Sequence, residues 1–533
     1  MQAMIVCPEP LAARAGAEVL RQGGNAVDAA TAASYVQAVV DPPLCGIGGS
    51  GCMNIFDSSS GSSVVVHFMA PAGSKAVPDV FEEIYVGRRD SVGRYEVEGF
   101  VNQMGYRSIC VPTFVRGVEY AHRRFGTMEW EELLEPAVDY AREGFEVYPY
   151  VHRFWVKDQT VSVVPEADPV TKMKLTEACA RIYLKDGQPY GVGERLVQSD
   201  LARVLESIAH EGADVFYEGS IAGQIATDME EHGGFVTYED LRDYEPIVYE
   251  TPTQGAYQGM TVTSDYPPTS GIQFITLLNI LDDMDLSGLE WNSAQYIDLV
   301  GRVLHEGFED RRRYYADPAF VDVPVDMLIS EEHAQNLRQN VLDERPATSR
   351  VDGYEGTTHL SVVDAQGNAV SFTHSIGSGS GVVTEGLGFV YNNMMGPFNP
   401  LPGYHDSVAP GKRAVVGGGP LILLDDGRVR LVIGSPGGSR KTSGVTQVIL
   451  NLFVENMPMQ EAVTVPRFHT EEVGVIYLEP AFSHEVAEGL RRRGYDVEWT
   501  SYGARVQAVL VDDDGCLHAG ADPRGGGGVG SVE

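Results

Sequence analysis

The chain has 533 residues, 43% of them hydrophobic, and a formal net charge of −36. This length exceeds what one simple core needs, so we expect two domains or one large two-lobed domain. A polyanion of this size repels nucleic acid and anionic membrane surfaces, which excludes both as expected partners.

The sequence carries no recognisable motif for a membrane span, a signal peptide, a metal site or a disulfide framework. No apolar run approaches the ~20 residues that a membrane span needs, and the N-terminus lacks the basic start and apolar segment of a signal peptide. The sequence therefore predicts a soluble cytoplasmic protein. The six cysteines form no CxxC and the thirteen histidines no HExxH, so we predict no metal, no cofactor and no disulfide framework.

The first fifty residues predict two helices followed by a glycine-rich turn. The second helix, "NAVDAATAASYVQAVVDPP", is expected to be capped by Asn25 and to end before Pro42. The turn "GIGGSG" matches GxGxxG, but a dinucleotide loop must follow a strand and open a helix. Here the turn follows a helix and leads into the strand-like "CMNIFD", so nucleotide binding is rejected.

The chain changes character along its length. Residues 110 to 250 are mostly helical in pattern, and another helix follows "YPPTSG". From residue 357 onward short strands dominate, including "GFVYNN", "PLILLDDGRVRLVIGS" and "VQAVLVDDDGCLHAG", with one helix in "SGVTQVILNLFVEN". The glycine-rich tail "GGGGVG" is expected to be a frayed terminus. A helix-rich part followed by a strand-rich part predicts an α+β layered architecture.

The stretch "GTTHLSVVDAQGNAVSFTHS" predicts a β-hairpin with a candidate site at its open end. "DAQGN" suits a three-residue loop with Gly367 in the left-handed conformation. The resulting register places Thr373 opposite His359 and Thr357 opposite Ser375. A threonine hydroxyl at a strand end, facing another hydroxyl, is a candidate nucleophile. The alternatives are an ordinary strand end, or a one-residue slip that would turn Ser375 away.

Activation of this threonine needs a base, and no Ser-His-Asp constellation is visible. Cleavage between Gly356 and Thr357 would supply one, because the new α-amino group can take the proton of its own hydroxyl. Such an amine has a pKa near ~7.7 to 8. Gly356 suits the cut because its carbonyl is unhindered. Separately, "GSPGGSR" (434–440) runs from a strand into a helix, and its backbone N–H groups can hold negative charge.

At this point the chain resembles the γ-glutamyltransferases (glutathione hydrolases) of the N-terminal-nucleophile hydrolase class. The likeness spans nearly the whole chain in nine ordered segments: "LAARAGAEVLRQGGNAVDAATAA", "GIGGSG", "MAPAGS", "YPPTSGI", "DRRRYYADPAF", "GTTHLSVVDAQGNAVSFTHS", "GSPGGSR", "PRFH" and "ADPR". The resemblance implies a four-layer αββα sandwich. It also implies a precursor that cuts itself into a large helix-rich chain (1–356) and a small strand-rich chain (357–533), which form one intertwined unit.

The resemblance also assigns roles to residues. Thr357 is implied to cleave the chain and then to attack a small-molecule amide, giving an acyl-enzyme that water or an amine acceptor releases. Ser375 stands where the family has a threonine that contacts the nucleophile's amino group. Gly437 and Gly438 are implied to form the oxyanion hole through their backbone N–H groups.

The expected acyl pocket departs from the family. His67 stands in place of the arginine that holds the donor's α-carboxylate, Met394 and Pro397 occupy the stretch where an acidic residue binds the α-amino group, and Gly377 replaces an asparagine. Val416 and Gly417 replace a pair of serines. The candidate substrate-binding positions are His67, Thr373, Met394, Val416 and Gly417. A zwitterionic glutamyl group needs paired charges in a confined site, and these side chains do not provide them.

Three hypotheses follow. The first is a self-processing threonine amidohydrolase or acyltransferase with an altered acyl pocket. The second is a genuine γ-glutamyltransferase or glutathione hydrolase in which other residues bind the α-amino and α-carboxylate groups of the donor. The third is a non-catalytic, uncut binding protein on the same fold. The acyl group, the acceptor and the oligomeric state, including a higher oligomer, stay open.

Overall fold

The fold is a computed structural model that describes residues 2–89, 94–156, 167–343, 356–471, 474–500 and 503–533. Its helices are α1 Pro10–Arg21, α2 Ala26–Val40, α3 Phe114–Phe125, α4 Trp130–Glu143, α5 Pro149–Trp155, α6 Pro169–Met173, α7 Glu177–Tyr183, α8 Ser199–Glu211, α9 Asp214–Tyr217, α10 Ser220–Glu231, α11 Tyr238–Arg242, α12 Gly271–Asp282, α13 Ala294–Tyr314, α14 Val325–Leu328, α15 Glu331–Leu342, α16 Arg440–Phe453, α17 Met459–Thr464 and α18 His484–Arg492.

Its strands are β1 Ala3–Cys7, β2 Ser50–Asp57, β3 Ser62–Phe68, β4 Tyr85–Arg89, β5 Arg94–Val97, β6 Phe145–Glu146, β7 Leu184–Lys185, β8 Gln188–Pro189, β9 Arg195–Leu196, β10 Ile247–Tyr249, β11 Thr253–Tyr257, β12 Met260–Ser264, β13 Thr358–Val363, β14 Ala369–Ser375, β15 Leu421–Asp425, β16 Arg428–Gly434, β17 Phe468–His469, β18 Val475–Leu478, β19 Asp496–Trp499, β20 Gln507–Val511, β21 Leu517–Ala521 and β22 Gly528–Val532.

Two antiparallel sheets form the centre of the molecule. The first has seven strands in the order β10-β3-β2-β14-β13-β1-β22, and the second has six in the order β11-β12-β15-β16-β20-β21. The sheets pack face to face through an apolar cluster that includes Phe56, Val363 and Val432. Polar side chains also cross this interface: Ser371 Oγ donates to the carbonyl of Ile433 at 3.2 Å.

Helices cover the outer faces of both sheets. On the first sheet lie α1, α2 and α3, with α4 packed against α2, and the apolar side chains of these helices share one core with β13 and β14. Every residue of α2 is buried, which its run of alanines permits because small side chains let the sheet and neighbouring helices approach closely. On the second sheet lie α12 and α16, with α13 packed against α12, in a separate core. This arrangement confirms the predicted α+β fold and its four-layer αββα sandwich.

Several local predictions are confirmed. Asn25 caps α2 by accepting from the N–H groups of Val27 and Asp28, and the helix ends at Val40. The "GIGGSG" turn leads into strand β2. The N–H of Asp364 donates to the carbonyl of Asn368 at 3.0 Å, which closes the predicted hairpin loop.

Two predictions are wrong. The "GGGGVG" tail is no frayed end, because β22 pairs along its whole length with β1 as the edge strand of the first sheet. The segment "GFVYNN" is no strand either. Gly388 adopts a φ of 75°, which interrupts extended backbone, and Tyr391 makes only an isolated bridge to Gly48. In the described ranges, no helix is long and apolar enough to cross a membrane.

Candidate active site

Thr357 lies immediately before β13, at the point where the two central sheets open toward a cleft. Its hydroxyl donates to the carbonyl of Gly356 at 2.6 Å, and the Ser375 hydroxyl donates to the same oxygen. The N–H of Gly377 in turn donates to Ser375 Oγ at 2.7 Å, which fixes the direction of that hydroxyl. The carbonyl that precedes Thr357 is therefore polarised by a donor, and the threonine oxygen lies next to it.

Gly356 is held in a conformation that only glycine adopts easily. Its φ is 128°, and a Cβ added there would lie 1.5 Å from the carbonyl oxygen of Gly377. The close approach of these two backbone segments is what places the Gly356 carbonyl against the hydroxyls of Thr357 and Ser375.

The hairpin register brings the predicted partners together. In the ladder His359 pairs with Thr373 and Thr358 with His374, so Thr357 and Ser375 face each other at the open end. Gly367 has a φ of 85°, as the loop type requires. Ser375 also pairs with Ser50 at the start of β2, so the site lies on three adjacent strands.

His359 cannot act as a base for this threonine. Its Nδ1 lies 2.8 Å from Thr373 Oγ1 and its Nε2 lies 3.1 Å from Ser361 Oγ. Because the Ser361 hydroxyl donates to the carbonyl of Gln507, Nε2 carries the proton and Nδ1 accepts from Thr373. Burial, with smaller effects of His374 and Lys441, lowers the pKa of His359 to about 3, so the ring stays neutral.

Behind the site, Thr358 is anchored to a buried carboxylate. Its hydroxyl donates to Glu9 Oε1 at 2.9 Å, and Gln37 Nε2 donates to Glu9 Oε2 at 2.5 Å. The amide oxygen of Gln37 lies 2.8 Å from Nε2 of His374. Glu9 and Thr358 are both fully buried. This network fixes the first residue of β13 and with it Thr357. The sequence offered no sign of it, because Glu9 lies almost 350 positions away from Thr358.

Gly437 and Gly438 form the turn that leads from β16 into α16, with φ values of 132° and 60°. Among the described residues, neither N–H group has a hydrogen-bond acceptor. The turn abuts the cleft wall, since a Cβ on Gly417 would lie 3.1 Å from the Gly438 carbonyl oxygen. These two donors at a helix N-terminus are thus free to bind a negatively charged oxygen.

A cleft of about 440 Å³ opens beside Thr357. Its lining brings together the nucleophile candidate, its partner and most of the predicted pocket residues: Gly356, Thr357, Thr373, Ser375, Met394, Val416 and Gly417. Met69 and Cys52 add to the apolar part of the wall. His67 is not part of this lining.

His67 instead belongs to a neighbouring charged network. Arg413 donates from its Nε and backbone N–H to Asp317 Oδ2, at 2.9 and 2.8 Å, and from Nη2 to Oδ1. The remaining Nη1 lies 3.3 Å from His67 Nδ1. Burial and the charge of Arg413 lower the pKa of His67 to about 3, so it is neutral. Arg413, the arginine beside His67, is therefore already paired with Asp317.

A buried lysine in the cleft wall was not identified from the sequence. Lys441, in the first turn of α16, is 3% exposed and donates from Nζ to the carbonyl of Gly417. Burial and the nearby Arg311 lower its pKa to about 7, against the opposing effect of Asp265. Burial likewise raises the pKa of Asp265 to about 6. The sequence feature that could have indicated this residue is the position of a lysine directly after "GSPGGSR". A lysine at the start of a helix is otherwise ordinary.

A second, larger cleft of about 720 Å³ also has Gly356 in its lining. Its wall is largely apolar and includes Leu44, Trp155 and Ile376, with Lys172 bound to the Ser378 and Gly379 carbonyls. Gly356 thus borders both cavities. Within the described ranges, no three His, Cys, Asp or Glu side chains come together as metal ligands.

Comparison with known proteins agrees with this arrangement. A family model described as gamma-glutamyltranspeptidase matches residues 12–532. The chain is 36% identical over 527 residues to the acylase ACY 1 proenzyme of Pseudomonas sp. (strain V22), covering 97% of this chain and 91% of that protein. It is 33% identical over 545 residues to the glutathione hydrolase proenzyme of Escherichia coli (strain K12), covering 98% and 90%.

Among solved structures, the cephalosporin acylase from Bacillus halodurans aligns with a TM-score of 0.86 at 26% identity, covering 99% of this chain and 95% of that one. These matches span both acylases and glutathione hydrolases and nearly the full length of each protein. The chain belongs to the γ-glutamyltranspeptidase family.

Proposed function

We propose that the protein is a threonine-nucleophile amidohydrolase or acyltransferase, made as a precursor that cuts itself between Gly356 and Thr357. The observation that carries this proposal is the geometry of the Gly356 carbonyl, which the hydroxyls of Thr357 and Ser375 both contact. The proenzyme names of the relatives from Pseudomonas and Escherichia coli support it.

Self-cleavage starts when Thr357 Oγ1 attacks the carbonyl carbon of Gly356. The Ser375 hydroxyl stabilises the oxygen as it becomes negative. Collapse breaks the C–N bond, the threonine proton passes to the departing nitrogen, and Gly356 becomes an ester on Thr357. Water then hydrolyses the ester, which leaves a carboxylate on Gly356 and a free α-amino group on Thr357. The products are the chains 1–356 and 357–533.

The same hydroxyl then attacks an external amide. The α-amino group of Thr357 takes its proton and passes it to the leaving amine, a role that His359 cannot fill because both of its ring nitrogens are hydrogen-bonded. The oxyanion that forms on the carbonyl of this external amide binds the N–H groups of Gly437 and Gly438. Neither N–H group has a hydrogen-bond acceptor among the described residues. The acyl-enzyme is released by water or by an acceptor amine.

The acyl group is proposed to differ from γ-glutamyl. Around the cleft, Met394 and Val416 are apolar, Gly417 carries no hydroxyl, and His67 is neutral and outside the lining. An α-amino and α-carboxylate pair would then be desolvated without partners of both signs, which costs several kcal/mol. The similarity to acylases favours hydrolysis of another amide. A genuine γ-glutamyl enzyme is the second candidate, favoured by the similarity to glutathione hydrolases.

Intact mass and a denaturing gel of the purified protein test the first step. We expect two fragments that meet at Gly356–Thr357, a single uncut chain for Thr357→Ala, and fragments again for Thr357→Ser, which keeps the hydroxyl. A wild-type chain that stays uncut would refute the proposal and support a non-catalytic binding protein. A γ-glutamyl anilide beside simple acyl anilides tests the second step, and turnover of the glutamyl compound alone would establish the second candidate.

A further inference from the structure

Asp41 has a buried carboxyl group whose hydrogen bonds are not filled. It is the residue that caps the C-terminal end of α2, and it is fully buried. Among the described residues, no donor reaches its Oδ1 or its Oδ2. An ionised carboxylate that is buried without any donor is strongly unfavourable. The carboxyl group is therefore expected to carry a proton.

The group that faces Asp41 is the carboxyl group of Glu9. It lies within hydrogen-bonding reach of Asp41 and is also fully buried. Two ionised carboxylates only accept hydrogen bonds and repel each other, whereas one proton between them forms a bond. Burial, the charge of Glu9 and this hydrogen bond raise the pKa of Asp41 well above its usual range, against the opposing effect of Arg505. Glu9 and Asp41, the acid pair, therefore share one proton.

The helix ends decide which member of the acid pair holds the proton. Glu9 immediately precedes α1, where the helix end carries a partial positive charge that favours a carboxylate. Asp41 follows the last residue of α2, where the partial charge is negative and favours a neutral acid. Glu9 also accepts from Thr358 and Gln37, as an ionised carboxylate does. Asp41 is therefore the donor and Glu9 the acceptor.

The other titratable and charged groups that face the acid pair are Cys7, Cys45, Tyr148, Tyr150 and Arg505. Burial raises the pKa of both thiols and both phenols, so these four groups are neutral at neutral pH. The charge of Arg505 acts on Asp41, but its guanidinium makes no hydrogen bond to either Asp41 oxygen. None of these groups takes the place of the proton.

The acid pair reaches the candidate nucleophile through one residue. Glu9 Oε1 accepts the Thr358 hydroxyl at 2.9 Å, and Thr358 directly follows Thr357. Gln37, one helical turn before Asp41, donates to Glu9 and lies 3.1 Å from Thr358 Oγ1. Loss of the proton, or of the Asp41 side chain, would move Glu9 and with it the start of β13. Neither acid lines either of the two clefts.

We propose that Asp41 is a protonated positioning residue, which donates its proton to Glu9 so that the acid pair holds Thr357 in place through the Thr358 hydroxyl. This inference rests on the proposed function, because it concerns the placement of the nucleophile that the function assigns. The proton takes no part in the reaction and contacts no substrate.

Infrared spectroscopy of the purified protein tests the proton itself. At about pH 8, Asp265 with its pKa of about 6 is ionised, whereas Asp41 should remain neutral. We expect the wild type to show the carbonyl stretch of a protonated carboxylic acid, which shifts in heavy water, and Asp41→Asn to lose it. Asp28→Asn is the matched control and should keep the band. Asp28 is equally buried in the first turn of the same helix, but it accepts from Asn25 and Thr127.

The rate of self-cleavage tests the positioning. Asp41→Asn keeps an N–H donor for Glu9 and should cleave at nearly the wild-type rate. Asp41→Ala removes the donor and should cleave about 10- to 100-fold more slowly on a gel time course. In the processed enzyme, Asp41→Ala should lower kcat for an acyl anilide and leave KM unchanged, because the acid pair lines neither cleft. A role in stability alone would lower the unfolding temperature and leave these rates unchanged.

A failure of this inference is distinguishable from a failure of the proposed function. Absence of the infrared band from the wild type, or its persistence in Asp41→Asn, would overturn the inference even if the chain cleaves itself. Equal cleavage rates of Asp41→Ala and the wild type would overturn it as well. If the wild-type chain stays uncut, the proposed function fails and the positioning of a nucleophile fails with it, while the band still decides whether the acid pair holds a proton.

Discussion

Replacement of Gly356 by alanine should block self-cleavage without unfolding the protein. The new Cβ would lie 1.5 Å from the Gly377 carbonyl oxygen, whereas a carbon and a carbonyl oxygen ordinarily stay about 3.3 Å apart. Relief of this contact requires a backbone shift of about 1.5 to 2 Å. The φ of 128° adds strain of about 1 to 3 kcal/mol for a residue with a side chain.

The shift moves the groups that we propose perform self-cleavage. If Gly356 moves, its carbonyl leaves the hydroxyls of Thr357 and Ser375; if Gly377 moves, its N–H no longer holds Ser375 Oγ. A misplacement of about 1 Å costs about 100-fold in rate, so we expect self-cleavage of Gly356→Ala to be at least about 100-fold slower.

A time course of precursor on a denaturing gel measures this rate, with thermal unfolding as the check on folding. Gly427→Ala is the matched control, because Gly427 also has a positive φ, of 74°, but nothing lies within 4 Å of an added Cβ. It should carry the conformational strain and still cleave at the wild-type rate. Cleavage of Gly356→Ala at the wild-type rate would refute the close-contact argument.

Three further predictions concern neighbouring groups. Ser375→Ala removes the donor to the Gly356 carbonyl and should slow self-cleavage about 100- to 1,000-fold, as read on the same gel time course. Thr358→Val deprives the buried Glu9 of a donor and should lower the free energy of unfolding by about 1 to 3 kcal/mol in urea titrations. For Lys441, whose pKa is about 7 in the fold and higher when unfolded, the unfolded state binds more protons between about pH 7 and 10. Wild-type stability relative to Lys441→Met should therefore rise as pH increases through that window, and a constant difference would argue that the lysine is not desolvated.

Much of the site was predictable because it depends on local rules. The loop "DAQGN" sets the hairpin register, and the register alone places Ser375 opposite Thr357. The strand-to-helix turn with Gly437 and Gly438 follows from the apolar pattern on either side of it. For the tail, local composition was a poor guide: glycines that suggested a frayed end instead let β22 lie close to α1, where a Cβ on Gly530 would be 2.4 Å from the Ala13 carbonyl oxygen.

The unpredicted parts of the site depend on contacts between distant segments. Glu9 reaches Thr358 only because β1 and β13 are neighbours in the first sheet, and no sequence pattern links those two residues. Lys441 reaches the cleft because the segment around Gly417 passes over the start of α16 with room for its side chain. For His67 the difference is the opposite one, because a residue expected in the cleft lies outside its lining. The family resemblance placed it in the pocket, but the side chain packs against Arg413.

The proposed nucleophile and the proposed acyl pocket are supported by different parts of the molecule. Thr357 and Ser375 lie at the ends of two central strands, fixed by the ladder and by the buried Glu9 network. Met394 belongs to the connecting segment before β15, and Lys441 belongs to the first turn of α16. A substitution in this wall leaves the Gly356 carbonyl and its two hydroxyl contacts in place. We therefore expect wall variants to change the choice of acyl group far more than the rate of self-cleavage, and a wall variant that abolished cleavage in a folded protein would contradict this separation.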